Sequence, residues 1–265
     1  MKHLFIVLSL FLPLALVGQN LEITYIANEG VLIANNNQKV LIDALFDDFY
    51  KQYSSPSEKV VTSMMASENP FEQVKVVLTT HMHRDHFEAN ITGEFLKEHQ
   101  ESRFLSSNQV RDELKAKYVD FSSIQGRVKA YVRGVHTLKD EINGVTVYSF
   151  FIYHAGGERT RSIENMGFIV EVGDKRVLHL GDSDMNPDRF KEVDLAKYEI
   201  DVALVPYWYM TSDAGIDIIN NSIKAKQLIG IHYPKAPSKT ALEQIEKNYP
   251  QAKVFQKAME TFISN

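Results

Sequence analysis

The 265-residue sequence predicts an α+β fold in which two β-sheets pack face to face and helices cover their outer faces. Two observations predict it. β-rich runs joined by hairpin turns dominate each half of the chain, and helical patterns follow strands in each half. A sheet built from regular βαβ units is less favoured, because the hairpin signals are strong. A hydrophobic content of 44% and a charged content of 24% are ordinary for a globular protein.

The first half opens with two or three β-rich runs in LEITYIANEGVLIANNNQKVLIDALF, with turn signals at Asn28-Glu29-Gly30 and Asn35-Asn36-Asn37. VKVVLTT predicts a short buried strand, and FEANITGEFLKEHQ after it has the apolar spacing of a helix. A second helix is expected to begin near Ser106, where Gln109 completes a capping-box pattern.

The second half repeats this theme. RVKAYVRGVHTL and VTVYSFFIYH flank a hairpin turn at Asn143-Gly144, and MGFIVEV and RVLHLGDSD flank a turn at Gly173-Asp174. IDVALVPYWY and QLIGIHY predict further strands, separated by a helix expected from Asp213 to Lys226. A last helix is expected from about Ser238 to Asn248, because Pro250 ends it.

The N-terminal residues differ from the rest of the chain. MKHLFIVLSLFLPLALVGQN has a basic residue, Lys2, then an apolar stretch from Leu4 to Val17, then small and polar residues. This is the layout of a secretory signal peptide, and the apolar stretch is too short for a comfortable membrane span. We therefore expect a signal peptide over residues 1–18, a single domain over residues 19–265, and an exported protein, periplasmic or secreted, with no membrane attachment after cleavage. An N-terminal anchor or a buried strand is the alternative.

Composition narrows the class of partner. The formal net charge is −5 and the sequence has no long basic run, which does not favour a nucleic-acid surface. The sequence has no cysteine, so neither a disulfide framework nor lipid attachment through cysteine is available. The expected partner is a small-molecule substrate, and the sequence leaves the oligomeric state open.

The stretch VVLTTHMHRDHF places His81, His83, Asp85 and His86 within six positions, directly after an apolar run. Such a cluster is costly unless something binds it, and a metal ion is the obvious candidate. Three further metal-ligand residue types fall, like His81, where a predicted buried strand gives way to a loop: His154, Asp182 and His232. Strand ends of this kind can hold a site rigidly and still open to solvent. His179, three residues before Asp182, is expected to pack or to support a ligand.

These motifs resemble a known family. THMHRDH matches the His-x-His-x-Asp-His signature of the metallo-β-lactamase fold superfamily, and the later His154, Gly181-Asp182 and His232 match its remaining metal motifs in order. The resemblance covers nearly all of the chain after the predicted signal peptide and implies an αββα sandwich with a two-metal site at one edge of the sheets. It also implies the ligand sets: His81, His83 and His154 for one metal, Asp85, His86 and His232 for the other, and Asp182 bridging both.

The residue types suit two divalent ions, with zinc expected and manganese or iron as alternatives. In such two-metal sites a shared water loses a proton near neutral pH and becomes the nucleophile. Asp85 is expected to orient that water as well as to bind metal. A structural zinc site usually closes with four ligands, often cysteines, whereas this chain offers seven candidates and no cysteine.

Within the superfamily the chain resembles the branch that includes the ascorbate-phosphate lactonase, in YIANEGVLI, VLHLGDSD and IGIHYP. True β-lactamases of this fold either use a metal-binding cysteine or lack the bridging aspartate, so the resemblance does not favour antibiotic degradation. We expect a hydrolase that uses a metal-bridging hydroxide to cleave a small-molecule ester, lactone or amide. The alternatives are a phosphodiesterase or nuclease of the same fold, and an exported metal- or ligand-binding protein without turnover.

Two groups of residues are candidates for substrate contact. Tyr207, Trp208 and Tyr209 follow a predicted strand and have flat apolar faces with polar tips, which suits the wall of a pocket. The alternative is that they cap the core at a sheet edge. Arg159 and Arg161 lie close after His154 and are candidates to clamp a phosphate or carboxylate. The alternative for these two is a solvated loop charge.

Overall fold

The structure, a computed structural model, describes residues 20–134 and 136–264. The predicted signal peptide over residues 1–18 lies outside the described residues. Among the described residues, no helix combines the length and the apolar character needed to cross a membrane.

The described chain forms two seven-stranded sheets: the first contains the first six strands and the last one, and the second contains the seven strands between them. The first sheet contains β1 (Leu21–Ala27), β2 (Gly30–Asn35), β3 (Gln38–Ile42), β4 (Val76–Leu78), β5 (Arg103–Ser107), β6 (Val128–Tyr131) and β14 (Thr261–Ser264). The second sheet contains β7 (Leu138–Ile142), β8 (Val145–Tyr153), β9 (Glu164–Val172), β10 (Lys175–His179), β11 (Val202–Pro206), β12 (Gln227–Ile231) and β13 (Lys253–Val254). The strand orders are β14-β1-β2-β3-β4-β5-β6 and β13-β12-β11-β10-β9-β8-β7.

Helices flank both sheets. They are α1 (Glu58–Met65), α2 (Ala89–Glu98), α3 (Asn108–Lys117), α4 (Phe121–Ile124), α5 (Pro187–Val193), α6 (Tyr207–Thr211), α7 (Asp213–Ile218) and α8 (Lys239–Asn248). Residues Ile219–Ile223 continue α7 as a π-helical turn. The predicted helix over residues 213–226 thus ends slightly earlier, at Lys224, whose left-handed backbone stops it.

Alternation along the strands explains the layered arrangement. In β2, Val31 and Ile33 join the buried cluster between the sheets, whereas Leu32 joins a second cluster beneath α1 to α4. A third cluster lies between the second sheet and α5 to α8. Both faces of each sheet are therefore buried, one against the other sheet and one against helices, because successive side chains point to opposite faces. The predicted α+β sandwich is confirmed.

Both sheets are mixed in the described residues: each is antiparallel towards one edge and parallel towards the other. Strands β3 to β6 are parallel in the first sheet, and β10 to β13 are parallel in the second. The carboxyl ends of these parallel strands, together with the end of β8, carry the residues of the candidate site. This placement matches the general position of ligand sites in sheets with parallel strands.

Three local predictions are corrected. RVKAY belongs to β6 and pairs with β5, so the hairpin at Asn143-Gly144 joins LKDEI, not RVKAYVRGVHTL, to β8. Helix α3 is capped by Ser107, whose side chain accepts from the Val110 amide, one residue after the expected position. Gln109 instead exchanges hydrogen bonds with Glu164 and Ser162 near the start of β9.

Candidate metal centre

The seven predicted metal ligands come from four separate chain segments and meet at one edge of the sandwich. His154 follows β8 directly, Asp182 follows β10 after two residues, and His232 follows β12 directly. The other four lie in the loop between β4 and α2: His81, His83, Asp85 and His86. Only His83 is more than slightly exposed, since the other six are buried. The structure therefore brings all seven together.

One group of nitrogens converges beside Asp182 Oδ2. His83 Nδ1 lies 3.1 Å from both His81 Nε2 and His154 Nε2. Asp182 Oδ2 lies 3.8 Å from His81 Nε2 and 3.4 Å from His154 Nε2. We call this group the first position. It offers three imidazole nitrogens and one carboxylate oxygen.

A second group lies beside the other oxygen of the same carboxylate. Asp182 Oδ1 is 3.3 Å from His86 Nε2 and 3.0 Å from His232 Nε2. Asp85 Oδ2 is 3.7 Å from each of those two nitrogens. We call this group the second position. It offers two imidazole nitrogens and two carboxylates, and Asp182 joins it to the first position.

Several of the converging nitrogen and oxygen atoms lack hydrogen-bond partners among the described residues, as expected for atoms that bind divalent cations. Asp182 Oδ1 and both ring nitrogens of His232 are buried and have no hydrogen-bond partner within the described part of the chain. Buried polar atoms are nearly always paired, so atoms of this kind that converge on one another indicate a ligand. At the first position, His83 Nδ1 faces two other imidazole nitrogens, and a cation would satisfy all three lone pairs at once.

A buried carboxylate that the sequence reasoning missed orients two of the histidines. Asp43 follows β3 and lies 2.9 Å from His86 Nδ1 through its Oδ2. The same carboxylate accepts from the Thr80 amide at 2.8 Å and from the Thr80 hydroxyl at 2.6 Å. Because the Thr80 hydroxyl proton points to Asp43, its oxygen is left to accept from His81 Nδ1 at 3.0 Å. Both histidines are thereby held with Nε2 free to bind metal.

Two further contacts position ligands. The Asn28 amide nitrogen donates to Asp85 Oδ2 at 3.1 Å and reaches the Asp85 carbonyl at 3.3 Å. His154 Nδ1 donates to the Ala155 carbonyl at 2.5 Å, which directs its Nε2 towards the first position. His179 does not join the ligands. As expected it is a packed supporting residue, which donates from Nε2 to the Glu29 carbonyl at 3.0 Å.

The electrostatic surroundings differ between the two positions. Burial, reinforced by the neighbouring histidine His86, lowers the pKa of His81 well below its ordinary value, and burial likewise lowers the pKa of His83. Burial also opposes the charge on His86, but the carboxylates of Asp182 and Asp85 outweigh it and raise the pKa of His86 well above its ordinary value. Burial therefore favours the neutral form of His81 and His83, which is the form that binds metal.

The rim beside the first position is cationic. The Arg161 guanidinium lies 4.1 Å from the centre of the Tyr153 ring, and that of Arg133 lies 4.8 Å from it. Arg133 also donates to the Arg161 carbonyl at 3.0 Å, so the two side chains are held around the residue that precedes His154. Arg161 donates to Glu158 at 3.3 Å, and Arg159 is exposed. Arg161 thus lies beside the residue that precedes His154, whereas Arg159 is exposed on the same loop.

The rim beside the second position is aromatic. The rings of Tyr53 and Trp208 lie 4.4 Å and 5.2 Å from the His232 ring. Tyr207 stacks on Tyr233 at 5.5 Å. The prediction for Tyr209 is corrected: YWY begins α6 instead of extending β11, so the helix turns Tyr209 into the core, where its hydroxyl bonds Ser183 at 2.9 Å. A substrate at the rim could not reach that side chain.

Sequence reasoning missed five residues of the site, and only one of them carried a signal. Asp43 ends a strand in LIDALF, as His81 does in VVLTTH, and that shared placement could have identified it. The others lie in a turn, in a loop or beside a ligand: Asn28, Glu29, Tyr53 and Thr80. Asn28 and Glu29 form a turn motif that is ordinarily solvent-exposed, yet both are fully buried.

Comparisons with known proteins agree with this geometry. The model of the family described as the beta-lactamase superfamily domain matches residues 22–232, well over half of the chain. A metal-dependent hydrolase of Pyrococcus horikoshii is 26% identical over 171 residues, which cover 58% of this chain and 67% of that protein. The structure of a possible metal-dependent hydrolase from Veillonella parvula superposes with a TM-score of 0.66 and 19% identity, over 91% of this chain and 98% of that one.

The isothiocyanate hydrolase from Delia radicum gut bacteria shares the fold with a TM-score of 0.58 and 13% identity, covering 92% of this chain and all of that one, 100%. At such low sequence identities the two structural similarities indicate a shared fold only. The family model and the Pyrococcus relative indicate common ancestry. The resemblance seen in THMHRDH is confirmed at the level of the family. The chain therefore belongs to the metallo-β-lactamase superfamily and is, like these relatives, a metal-dependent hydrolase.

Proposed function

We propose that the protein is a dinuclear hydrolase that cleaves a small-molecule ester, lactone or amide. The observation that carries this proposal is the position of Asp182. Its Oδ2 faces the three imidazoles of the first position, and its Oδ1 faces His86 and His232 of the second. A carboxylate that faces two separate ligand sets is suited to bridge two cations, and a single structural ion would not need it.

The metals are proposed as two divalent cations, held as the family resemblance implies. Zinc suits the first position, because three imidazoles and one carboxylate make a four-ligand zinc set. Manganese and iron are the alternatives, since they accept the same donor types. When bound, a pair of such ions lowers the pKa of a shared water and polarises the oxygen of the bond to be cleaved.

The protein's own residues have distinct roles in the proposed reaction. Asp85 orients the attacking water, and the Asn28 amide at 3.1 Å fixes the carboxylate in place. The water adds to the acyl carbon, the C–O or C–N bond breaks, and the proton leaves with the alcohol or amine. Arg161 holds an anionic group of the substrate beside the first position. Tyr207 and Trp208 pack against its apolar part beside the second.

A small substrate is favoured over nucleic acid. The chain carries a formal net charge of −5, and two of the arginines near the site are paired with acidic neighbours. Arg161 pairs with Glu158, and Arg84 pairs with Asp47. A polyphosphate ligand needs unpaired basic residues along its path. The protein is also proposed to be exported, on the signal-peptide layout of residues 1–18, and the N-terminal mass of the protein recovered from its host tests that.

The proposed function is tested by substrate screening with a matched variant. Purified protein is loaded with zinc, manganese or iron in turn and assayed against panels of esters, lactones, amides and phosphodiesters. We expect turnover of an acyl substrate that falls by more than about 100-fold in Asp182→Asn, beyond the range for residues that only support a ligand. The circular dichroism spectrum should stay unchanged. Full activity in Asp182→Asn, or a phosphodiester as the best substrate, would contradict the proposal.

A further inference from the structure

A fully buried glutamate lies against the second position. Glu29 belongs to the turn between β1 and β2, and its side chain has no exposure to solvent. Gly30 makes this burial feasible: a Cβ at that position would meet the Asp43 carbonyl at 2.7 Å, so only glycine lets the turn approach so closely. Turn residues usually face water, and a turn that buries a carboxylate therefore calls for a reason.

Neither oxygen of Glu29 has a hydrogen-bond partner within the described residues. The nearest imidazole nitrogens are His179 Nε2 at 3.9 Å and His86 Nδ1 at 4.0 Å from Oε2. Both already use their protons elsewhere, on the Glu29 carbonyl at 3.0 Å and on Asp43 at 2.9 Å. A buried carboxylate without a partner is strongly unfavourable in its charged form, so it is either protonated or compensated by a cation.

Asp43 provides the internal comparison. It is equally buried and also lies next to His86, yet it accepts three hydrogen bonds, two of them from Thr80. Asp43 is thus fully occupied as a positioning residue. Glu29 accepts none, although it sits at the same depth and beside the same histidine. The difference indicates that Glu29 has a partner of another kind.

The partner can be identified from the atoms around it. A Glu29 oxygen, an Asp182 oxygen and a His232 nitrogen all lie within 4.8 Å of one another, and all three residues are buried. Opposite ligand atoms of a six-coordinate ion with bonds near 2.1 Å are separated by about 4.2 Å, so atoms within 4.8 Å of one another can share one ion. Asp182 Oδ1 and His232 Nε2 are themselves unpaired donor atoms of the second position.

We propose that Glu29 is an additional ligand of the cation at the second position, and that it raises the affinity of this position for Mn²⁺ or Fe²⁺ relative to Zn²⁺. The inference rests on the dinuclear centre of the proposed function. Glu29 groups with Asp182 and His232, which the second position also uses, and as a ligand it would raise that position to three carboxylates and two imidazoles, a set that suits an ion that prefers oxygen. Zinc favours four ligands and gains little from a fifth. Charge agrees as well. Four buried carboxylates surround the two positions and balance two divalent ions: Glu29, Asp43, Asp85 and Asp182.

The test is the metal selectivity of the variant Glu29→Gln, which keeps the shape and removes the charge. Metal-stripped protein is titrated with Mn²⁺, and the electron paramagnetic resonance signal measures the concentration of free Mn²⁺. In a separate titration, a chelator competes with the protein for Zn²⁺, which gives the dissociation constant for Zn²⁺. We expect the dissociation constant of the second equivalent of Mn²⁺ to rise by at least about tenfold more than that of Zn²⁺. Equal weakening of both metals would show a positioning role only and overturn the assignment, as would no change.

Two comparisons protect the test against a folding artefact. The metal-free Glu29→Gln protein should be as stable to heat as the metal-free wild type, because glutamine keeps the shape of the side chain and neither Glu29 oxygen has a hydrogen bond to lose within the described residues. A markedly less stable metal-free variant would indicate a structural role and contradict the proposal. Glu88→Gln is the matched control. Glu88 is also buried and near the site, but it caps α2 by accepting from the Ile91 amide, so its loss should leave the selectivity unchanged.

The outcomes separate this inference from the proposed function. Two equivalents of metal in the wild type, with unchanged selectivity in Glu29→Gln, would overturn the role of Glu29 and leave the hydrolase standing. The expected selectivity shift, without turnover of any ester, lactone or amide, would overturn the reaction and leave the role of Glu29 standing. Fewer than two equivalents in the wild type would overturn both.

Discussion

The two metal positions share one carboxylate but are chemically different. The first position combines three imidazoles with Asp182, and a cationic rim that includes Arg161 borders it. The second position combines two imidazoles with Asp85 and Asp182, has Glu29 beneath it, and is bordered by the ring of Trp208. Each position has four ligand residues, so the number of ligands alone would not distinguish the two positions. We propose that the surroundings of each set decide which ion and which part of a substrate it favours.

His81 and His86 show this difference most directly. Both side chains are fully buried, and burial alone would lower the pKa of each. The pKa of His81 is indeed lowered, since other histidines surround it, whereas the carboxylates of Asp182 and Asp85 raise that of His86. Two histidines only five positions apart in the sequence therefore have pKa values shifted in opposite directions. The first position is dominated by imidazoles, whereas the second sets two carboxylates beside its two imidazoles.

The largest expected effect comes from removing one ligand that belongs to a single position. His154→Asn should lose the first-position ion and His232→Asn the second-position ion, so each variant should bind one equivalent where the wild type binds two. Turnover should fall by more than about 100-fold in both, because the reaction needs both ions. Metal analysis by mass spectrometry and a steady-state assay measure these changes. The control is His136→Asn, because His136 is exposed. Two equivalents of metal in either site variant would contradict the assignment of His154 and His232 to separate positions.

A smaller effect is expected at the residue that supports both positions unequally. Asp43 contacts His86 directly and His81 only through Thr80. Asp43→Asn should therefore weaken metal binding by about 10- to 100-fold at the second position, the range for residues that orient a ligand, and less at the first. Competition with chelators of graded affinity measures both constants. A greater loss of metal affinity at the first position than at the second would contradict the proposed role of Asp43.

The smallest effect is expected at the rims, where substrate groups and not metals are contacted. Arg161→Gln should raise KM about tenfold for a substrate with a carboxylate and leave its neutral analogue unaffected, because one charge-assisted contact is lost. Trp208→Leu should raise KM for substrates with a large apolar group. Steady-state kinetics on matched substrate pairs measures the difference. If Arg161→Gln changed KM equally for the charged and the neutral substrate, Arg161 would not bind the substrate's carboxylate.

Much of this arrangement could be predicted from the sequence because its signals are local. Alternating apolar residues mark the strands, and His81, His154, Asp182 and His232 each follow such a run. The pairing of RVKAY was not predictable in this way. Its partner, β5, lies about twenty residues earlier, and the nearby Asn143-Gly144 turn suggested a closer one. Tyr209 was misplaced because a strand and the first turn of a helix are difficult to separate within three aromatic residues.

Glu29 could not have been predicted, since its burial depends on how the two sheets meet. The motif Asn28-Glu29-Gly30 has the composition of an ordinary exposed turn. Only the packing of β2 and β3 against the second sheet brings that turn beside Asp182 and His232. Tyr53 likewise reaches His232 from an irregular segment with no periodic pattern. Residues that act in the site through tertiary approach carry no signature in the sequence around them.

The central claim is that Asp182 joins two different metal positions. Crystals grown with equal amounts of zinc and manganese, and measured at wavelengths on either side of each absorption edge, test it most directly. We expect two anomalous peaks about 3.5–4 Å apart, one on each oxygen of Asp182, with zinc beside His154 and manganese beside His232. A single peak, or two peaks of the same metal with Glu29 turned away from both, would contradict the account.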